Sequence, residues 1–350
     1  MSERRWRGAI AGEARAYAVA AAAKAAWWNA AGAAAKALTK PTAEDARPEF
    51  TPQSDPPPAG FTRRAWREAF VKDAADVAAG LYPARDAGAP GPVRAAREAA
   101  DFLADAIKVE ARRRRRDGVE VRDEVPASYP AYYRQNFHYQ SGGWFTAESA
   151  ARYEAQVEAL FGGTGGAMRR RALSLLAKAW RARDHRGLAV LDVACGSGGF
   201  LADLAATFPR ARLHGVDLSP AYLEAAARAA PAARLAQANA EALPFADATL
   251  DAVTCVYLFH ELPPKVRPKV AAEIARVLKP GGVLAFADSI QPQDEPRLGR
   301  LLEAFPAYFH EPFYESYVTT DLAALFGAAG LAGREEDRAF LTKAMLFEKA

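Results

Sequence analysis

The stretch VLDVACGSGGF, residues 190–200, starts with apolar residues around a single acid and then breaks into glycine. A glycine-rich turn between a buried strand and a helix lets a ligand lie directly against the backbone. The stretch therefore predicts a nucleotide-like cofactor at the end of a strand. The segments that follow it show which kind of cofactor.

Strands alternate with helices from about residue 167 onward. Helical patterns occur in PAYLEAAARAA and PKVAAEIARVL, and the apolar runs between them read as strands. These runs are LAVLDVA, RLHGVDL, ARLAQAN, LDAVTCVYLF and GGVLAFADSI. The alternation predicts a doubly wound α/β fold, in which a mostly parallel sheet carries helices on both faces and binds ligands at the carboxyl ends of its strands.

The second strand segment, HGVDLSP, ends in Asp217, which follows Gly198 by nineteen residues. An acid at this place accepts hydrogen bonds from both hydroxyls of a ribose. The alternative, that Asp217 merely caps the next helix, is disfavoured because Ser219 is available for that role. The cofactor is therefore predicted to contain a ribose, as a dinucleotide or S-adenosylmethionine does.

The glycine spacing separates these two cofactors. A dinucleotide-binding turn has a third glycine three residues after the second, where the helix closes on the strand and receives a pyrophosphate. Leu201 stands at that place, after Gly196 and Gly198. The spacing disfavours a nicotinamide-dependent oxidoreductase, which is kept as an alternative.

The compact turn DVACGSGGF resembles the first motif of the class I S-adenosylmethionine-dependent methyltransferases. The resemblance continues in order, over roughly the last half of the chain, through NAEALPFADATLDAVTCVYLFHEL and IARVLKPGGVLAFAD. These motifs are similar to those of the type-11 branch. The resemblance implies a seven-stranded, mostly parallel sheet with a helical N-terminal extension.

The resemblance also implies a set of cofactor-binding residues: Asp192, Ala194, Gly196, Gly198, Asp217, Leu218, Asn239, Ala240 and Tyr257. Asp192 would face the methionine end, Asp217 the ribose, and Asn239 the adenine edge. Two positions depart from the family pattern. Ala194 stands where glycine is usual, and Asn239 stands where an acid commonly receives the adenine amino group, which puts the strength of cofactor binding in question.

The resemblance implies transfer of a methyl group to a small-molecule or lipid acceptor. This in-line displacement is accelerated mainly by alignment and exclusion of water. A non-enzymatic alternative is a methyltransferase-fold protein retained for binding or assembly. No metal is predicted, and the oligomeric state stays open.

An aromatic block lies upstream, between Tyr129 and Gly163, and contains five tyrosines, a tryptophan and several phenylalanines. Together with HELPPKVR and FHEPFYESY it resembles a set of poorly characterised methyltransferases from bacteria and photosynthetic organisms. Aromatic faces attract a sulfonium cation or cover a flat or lipid-like acceptor. The alternative is that these side chains dock the preceding helices onto the sheet.

The N-terminal half divides into three predicted parts. Residues 1–40 form an alanine-rich helix, residues 41–60 a proline-rich linker, and residues 61–166 a helical and aromatic cap in front of the methyltransferase domain at 167–350. The helix is too weakly apolar to cross a membrane. It either lies in a membrane interface through Trp27 and Trp28 or packs on the protein.

Composition sets outer limits on function. The net charge of +4 comes largely from the cluster Arg112 to Arg116, so a nucleic-acid partner is not indicated. This arginine run is interpreted as a solvated helix end, with an anionic-lipid patch as the minor alternative. Two cysteines suit a reducing compartment. We expect a cytoplasmic protein, with membrane association and organelle targeting as alternatives.

Three of the five histidines follow a phenylalanine, in NFHYQ, LFHEL and YFHEP. The alternation places His260 at the end of the fourth strand and His310 after the fifth, whereas His138 lies in the aromatic block. We expect the three to converge on the acceptor pocket, with His260 the preferred general base because histidine titrates near neutral pH. The alternative is that each imidazole orients a loop. A metal site with Glu261 or Glu311 is the weakest interpretation.

Overall fold

A computed structural model describes residues 3–39, 50–83, 85 and 92–350. Its centre is a seven-stranded sheet. The strands are β1 Ala189–Val193, β2 Arg212–Asp217, β3 Arg234–Gln237, β4 Leu250–Val256, β5 Leu278–Ser289, β6 Leu331–Ala339 and β7 Thr342–Lys349.

Helices cover both faces of this sheet and extend beyond it on the N-terminal side. They are α1 Glu3–Leu38, α2 Phe61–Ala78, α3 Pro92–Arg115, α4 Ala147–Leu160, α5 Gly165–Ala179, α6 Gly199–Thr207, α7 Pro220–Ala229, α8 Arg267–Val277, α9 Gly299–Tyr308, α10 Tyr314–Val318 and α11 Leu322–Ala328. Short 3₁₀ turns occur at Glu120–Asp123, Phe137–Tyr139, Phe259–Glu261 and Pro296–Leu298.

The strand order is β3-β2-β1-β4-β5-β7-β6. Strands β1 to β5 run parallel to one another, and β7 is antiparallel to both β5 and β6. The order reverses between β1 and β4, so the carboxyl ends of these central strands open the crevice in which ligands of such sheets bind. The predicted fold class is confirmed.

Helix α1 packs on the protein. Tyr17 and Trp28 are each 3% exposed, and Lys24 forms an ion pair of 2.6 Å with Glu158 of α4. Trp27 is half-buried and packs against the cluster of Trp28, Ala31 and Ala155. The aromatic side chains that a membrane-surface helix would direct outward therefore face the interior here. In the described ranges, every helix is too short or too polar to span a bilayer.

A buried charge network joins the N-terminal helices to α5. Asp73 of α2 is fully buried and accepts hydrogen bonds from Tyr17 of α1, Tyr82 and Arg170. Arg171 lies 3.5 Å from the same carboxylate. Although burial alone would raise it, the guanidinium groups lower the pKa of Asp73 to about 2. Asp73 is thus ionised and holds α1, α2 and α5 together.

Two predicted segments differ from the expectation of a free linker and a solvated charged end. Residues 41–49 of the predicted linker lie outside the described residues, but Ser54 and the backbone of Gln53 donate to Glu303 of α9. In the arginine run, Arg112 pairs with Glu120 at 2.6 Å and donates to Ser141. These contacts attach part of the linker to α9, and they attach the end of α3 to the rest of the cap.

We predict that Asp73→Asn strongly destabilises the fold. The substitution removes the one buried charge that both guanidinium groups contact, and leaves Arg170 only with Asp203 and Arg171 only with Asp76 and Asp337. Breaking a buried ion pair costs about 3 to 5 kcal/mol. Equilibrium denaturation in urea would measure the loss. Glu68→Gln, on the exposed face of the same helix, is the control and should change stability by less than about 0.5 kcal/mol. Equal effects of the two substitutions would contradict the role given to Asp73.

Candidate functional site

The glycine turn after β1 uses its two predicted glycines differently. Gly196 has φ 54° and a side chain there would point into open space, whereas a Cβ on Gly198 would come within 2.6 Å of the Ala226 Cα in α7. Ala194 also adopts a positive φ, 56°. This explains why glycine is usual at that position. Gly196 therefore leaves room for a ligand, and Gly198 lets two helices pack closely.

Asp217 binds two loops at once. Its carboxylate accepts hydrogen bonds from the backbone N–H groups of Gly196 at 2.9 Å and of Ser219 at 2.8 Å. Each oxygen keeps a further lone pair, so both can still accept from a ribose. Burial raises the pKa of this carboxyl above its ordinary value. The Ser219 hydroxyl accepts from the Tyr222 N–H and caps α7, as predicted.

A cavity at the carboxyl ends of β1, β2 and β4, named the cofactor cavity here, is lined by most of the predicted cofactor residues. These are Ala194, Gly196, Asp217, Leu218, Asn239, Ala240 and Tyr257. Gly198 does not line it, because it faces α7. Asn239 accepts from the Glu241 N–H at 3.0 Å, so its carbonyl lies in a turn and retains one free lone pair for an adenine edge.

Asp192 lies behind this cavity rather than on its wall. The side chain is 2% exposed and accepts a 2.6 Å hydrogen bond from Thr254 of β4. Burial raises the pKa of Asp192 to about 7. Asp192 therefore does not line the cavity in which the methionine end of the cofactor is expected. It connects the two central strands, β1 and β4, instead.

The aromatic block lines the cofactor cavity and also packs the cap against the sheet domain. Tyr132, Tyr133, Phe137, Trp144 and Tyr153 line the cofactor cavity. The same block also anchors the cap. The Trp144 ring packs edge-on against Tyr222 of α7 at 5.4 Å, and the Ser149 hydroxyl lies 2.9 Å from the Tyr222 hydroxyl. Docking the cap thus forms one wall of the cavity.

A polar cluster that the sequence does not predict lies over the glycine turn. Glu154 of α4 accepts from the Ser197 hydroxyl at 2.8 Å and from Arg169 at 3.0 Å. A side chain on Gly199 would come within 2.7 Å of this carboxylate. Although burial alone would raise it, Arg169 lowers the pKa of Glu154 to about 2. Only the packing of α4 on the turn brings these residues together.

A second, larger cavity of about 1170 Å³ adjoins the first. We name it the acceptor cavity. Most of its lining is apolar and comes from α1, α3, α4 and α9, including Trp28, Phe102, Leu301, Phe305 and Tyr308. Tyr153, Tyr257 and Glu261 line both cavities. The two spaces therefore meet at these three side chains.

His260 lines the acceptor cavity next to Glu261 and is held in a charged pair. Its Nδ1 is 2.6 Å from the Asp288 carboxylate, and Asp288 also accepts from the Phe259 N–H. Although burial alone would lower it, Asp288 raises the pKa of His260 to about 10. The carboxylate therefore favours the protonated imidazole, and the role of His260 as a general base stays a prediction.

The other two histidines point in different directions. His138 has its Nδ1 2.9 Å from the buried Glu311 carboxylate and lines the acceptor cavity with His260. The pair lacks hydrogen-bond alignment and is a charge contact. His310 instead has its Nε2 2.7 Å from the Gln135 side chain, away from the cavity lining. Two of the three predicted histidines converge, and His310 does not.

Comparison with known proteins agrees with this geometry. A family described as a methyltransferase domain matches residues 190–282. The demethylmenaquinone methyltransferase of Thermus thermophilus is 32% identical over 54% of this chain and 92% of its own length. The ubiquinone/menaquinone biosynthesis C-methyltransferase of Desulfotalea psychrophila is 34% identical over 43% and 68%.

A solved structure of magnesium protoporphyrin IX methyltransferase from Synechocystis is 15% identical, covers 57% of this chain and 88% of its own, and has a TM-score of 0.43.

The chain belongs to the class I S-adenosylmethionine-dependent methyltransferases. The sheet order, the glycine turn and the matching relatives agree on this class. The predicted enzyme class is confirmed, and the nicotinamide-dependent and non-enzymatic alternatives are set aside. Membership implies S-adenosylmethionine as the methyl donor. The residues of the cofactor cavity fit it, because an acid with spare lone pairs lies beside an uncovered glycine backbone.

We predict that Asp217→Ala weakens binding of S-adenosylhomocysteine by about 10- to 100-fold, the loss of a hydrogen bond to a charged group. Isothermal titration calorimetry would measure the dissociation constant. Asp184→Ala, an exposed acid ahead of β1, is the control and should bind as the wild type does. An unchanged affinity in the Asp217 variant would contradict the ribose assignment.

The two glycines give a matched pair of substitutions. Alanine at Gly196 or Gly198 costs a similar roughly 1 to 2 kcal/mol of backbone strain, because both have positive φ. Only Gly198→Ala adds a clash with α7. We expect Gly196→Ala to fold and to lose cofactor affinity, and Gly198→Ala to lose clearly more stability. Thermal denaturation would measure the stability of each variant, and titration calorimetry would measure its affinity for the cofactor. Equal destabilisation by the two substitutions would contradict the assignment.

Proposed function

We propose that the enzyme methylates an elongated, largely apolar small molecule or lipid that binds in the acceptor cavity. The observation that carries this proposal is the shared wall of the two cavities at Tyr153, Tyr257 and Glu261. A cofactor beside Asp217 and an acceptor beside His260 would meet there. Alignment of two bound reactants in a site that excludes water is the main source of acceleration for a displacement of this kind.

The size and lining of the acceptor cavity support an apolar acceptor. Its volume of about 1170 Å³ exceeds the usual range for a drug-sized ligand, about 300 to 1000 Å³. Burial of apolar surface contributes about 25 cal/mol per Å², so a long hydrocarbon chain would bind there without polar contacts. Leu301, Phe305 and Phe309 provide such a surface near the junction.

The names of the relatives support the same class of acceptor. One of them is named a ubiquinone/menaquinone biosynthesis C-methyltransferase, and another is named a demethylmenaquinone methyltransferase. We propose a flat ring with an apolar side chain as the first acceptor to test, with the ring at the junction and the chain toward α1 and α3.

For the cofactor we propose the following arrangement. Asp217 would bind the ribose hydroxyls, Leu218 and Ala240 would contact the adenine faces, Asn239 would accept at its edge, and the Gly196 backbone would lie along the methionine end. The aromatic side chains of Tyr133 and Trp144 would cover the sulfonium, a contact worth about 0.5 to 2 kcal/mol. We further propose that residues 61–166 act as the cap that closes the site and that α1 belongs to this cap rather than to a membrane surface.

The test of the acceptor class uses a labelled methyl donor. The enzyme is incubated with S-adenosylmethionine carrying a labelled methyl group and either a lipid extract or an aqueous metabolite extract of cells. We expect label in products that partition into organic solvent. Label confined to water-soluble products would overturn the proposal.

We predict that Ala106→Trp, which fills the acceptor cavity from α3, selectively lowers turnover of acceptors with a long side chain. Reduced demethylmenaquinone and a reduced naphthoquinone without a side chain would be compared by steady-state kinetics. The short acceptor should be turned over normally, and S-adenosylhomocysteine should bind unchanged. Ala104→Trp, on the exposed face of the same helix, is the control. Equal loss with both acceptors would contradict a chain in this cavity.

A further inference from the structure

Glu261 lies where the two cavities join, between two histidines. Its Oε1 is 4.0 Å from the His138 Nε2 and 3.9 Å from the His260 Nε2. Its side chain is 16% exposed, and this exposure is toward the cavities that it lines. The sequence indicates this acid only as a candidate metal ligand, because the order of residues does not show that both rings face it.

Buried carboxylates fix the direction of both rings. Asp288 holds the His260 Nδ1 at 2.6 Å, and Glu311 holds the His138 Nδ1 at 2.9 Å. Neither carboxylate side chain has any exposed surface. With Nδ1 occupied, each ring presents its Nε2 toward Glu261. The two imidazoles therefore have the same orientation relative to this acid, although they come from distant parts of the chain.

Three carboxyl groups share the two imidazoles around Glu261. Although burial alone would lower both, Glu311 raises the pKa of His138 and Asp288 raises the pKa of His260. Each ring thus already has a buried carboxyl group of its own at Nδ1, and the hydroxyls of Tyr133, Tyr153 and Tyr257 beside Glu261 are neutral phenols. An ionised Glu261 would be a third carboxylate beside two rings. Accordingly, burial, with the Glu311 and Asp288 charges, raises the pKa of Glu261 to about 8.

A cationic ligand in the cofactor cavity changes this balance. S-adenosylmethionine carries a positive sulfonium, whereas its product S-adenosylhomocysteine has a neutral thioether. A positive charge in a cavity that Glu261 lines favours the ionised carboxylate. By linkage, binding of the cationic cofactor then releases the proton that the acid holds.

We propose that Glu261 is a catalytic residue that is ionised by the cationic cofactor and then accepts the proton of the methyl acceptor. This inference rests on the proposed position of the cofactor beside Asp217. In the step, the bond between sulfur and the methyl carbon breaks, and sulfur keeps the electron pair. The acceptor atom bonds to the methyl carbon, and its proton moves to the Glu261 carboxylate. His138 and His260 are positioning residues that hold the carboxylate by charge.

Proton release on binding tests this proposal without turnover. Calorimetric titrations at pH 7, in two buffers with different heats of ionisation, give the number of protons released by each ligand. The wild-type enzyme should release a substantial fraction of one proton with S-adenosylmethionine and clearly less with S-adenosylhomocysteine. Glu261→Gln should release the same small amount with both ligands. Glu315→Gln, an exposed acid nearby, should behave as the wild type.

Turnover gives the second measurement. Glu261→Gln should lower the rate by about 10²- to 10⁴-fold, as expected for loss of a positioned proton acceptor, with the affinity for S-adenosylhomocysteine nearly unchanged. Glu261→Asp keeps a carboxylate and should retain proton release and part of the activity. This second variant also guards against a glutamine variant that does not fold.

The outcomes distinguish a failure of the role proposed for Glu261 from a failure of the proposed cofactor site. Equal proton release with both ligands in the wild type, or unchanged release in Glu261→Gln, overturns the role of Glu261 and leaves the cofactor site intact. Failure of Asp217→Ala to weaken binding of either ligand overturns the cofactor site itself. Normal turnover by Glu261→Gln overturns the proton transfer step.

Discussion

The site depends on one carboxylate that accepts from two backbone N–H groups. Asp217 ends β2 and bonds both to Gly196, in the turn after β1, and to Ser219, at the start of α7. The loops that follow two neighbouring parallel strands begin at the same edge of the sheet. The two hydrogen bonds of Asp217 fix the distance between these loops. The wall of the cofactor cavity is therefore built from backbone atoms held by a buried charge.

The sheet and this carboxylate could be predicted from the sequence because their signals are local. The strands appear as apolar runs, and Asp217 ends one of them at the expected distance from a glycine turn. Asp192 shows the limit of such signals. It lies one residue before the end of β1, and Thr254 on β4 donates a hydrogen bond to it. A partner on another strand is not visible from the order of residues.

The directions of the histidines could not be predicted for a related reason. His138 has φ 55° and lies in a short 3₁₀ turn, so its ring leaves the backbone in a direction that no helix or strand pattern indicates. His310 is close to it in the fold, yet Gln135 draws its ring away. A shared local motif, a phenylalanine before each histidine, therefore gives no information about which rings converge.

The arginine pair at the start of α5 has a consequence for how such enzymes diversify. Arg170 and Arg171 belong to the helix that packs on β5 and β7. Asp203 and Asp337 of the methyltransferase domain each contact one of them, but the one acid that contacts both, Asp73, comes from the cap. A different N-terminal region grafted onto this sheet would have to supply an acid at the same point in space. Exchange of acceptor specificity by recombination is thus restricted to caps that carry this matching charge, and accumulation of point substitutions within the existing cap is the more accessible route.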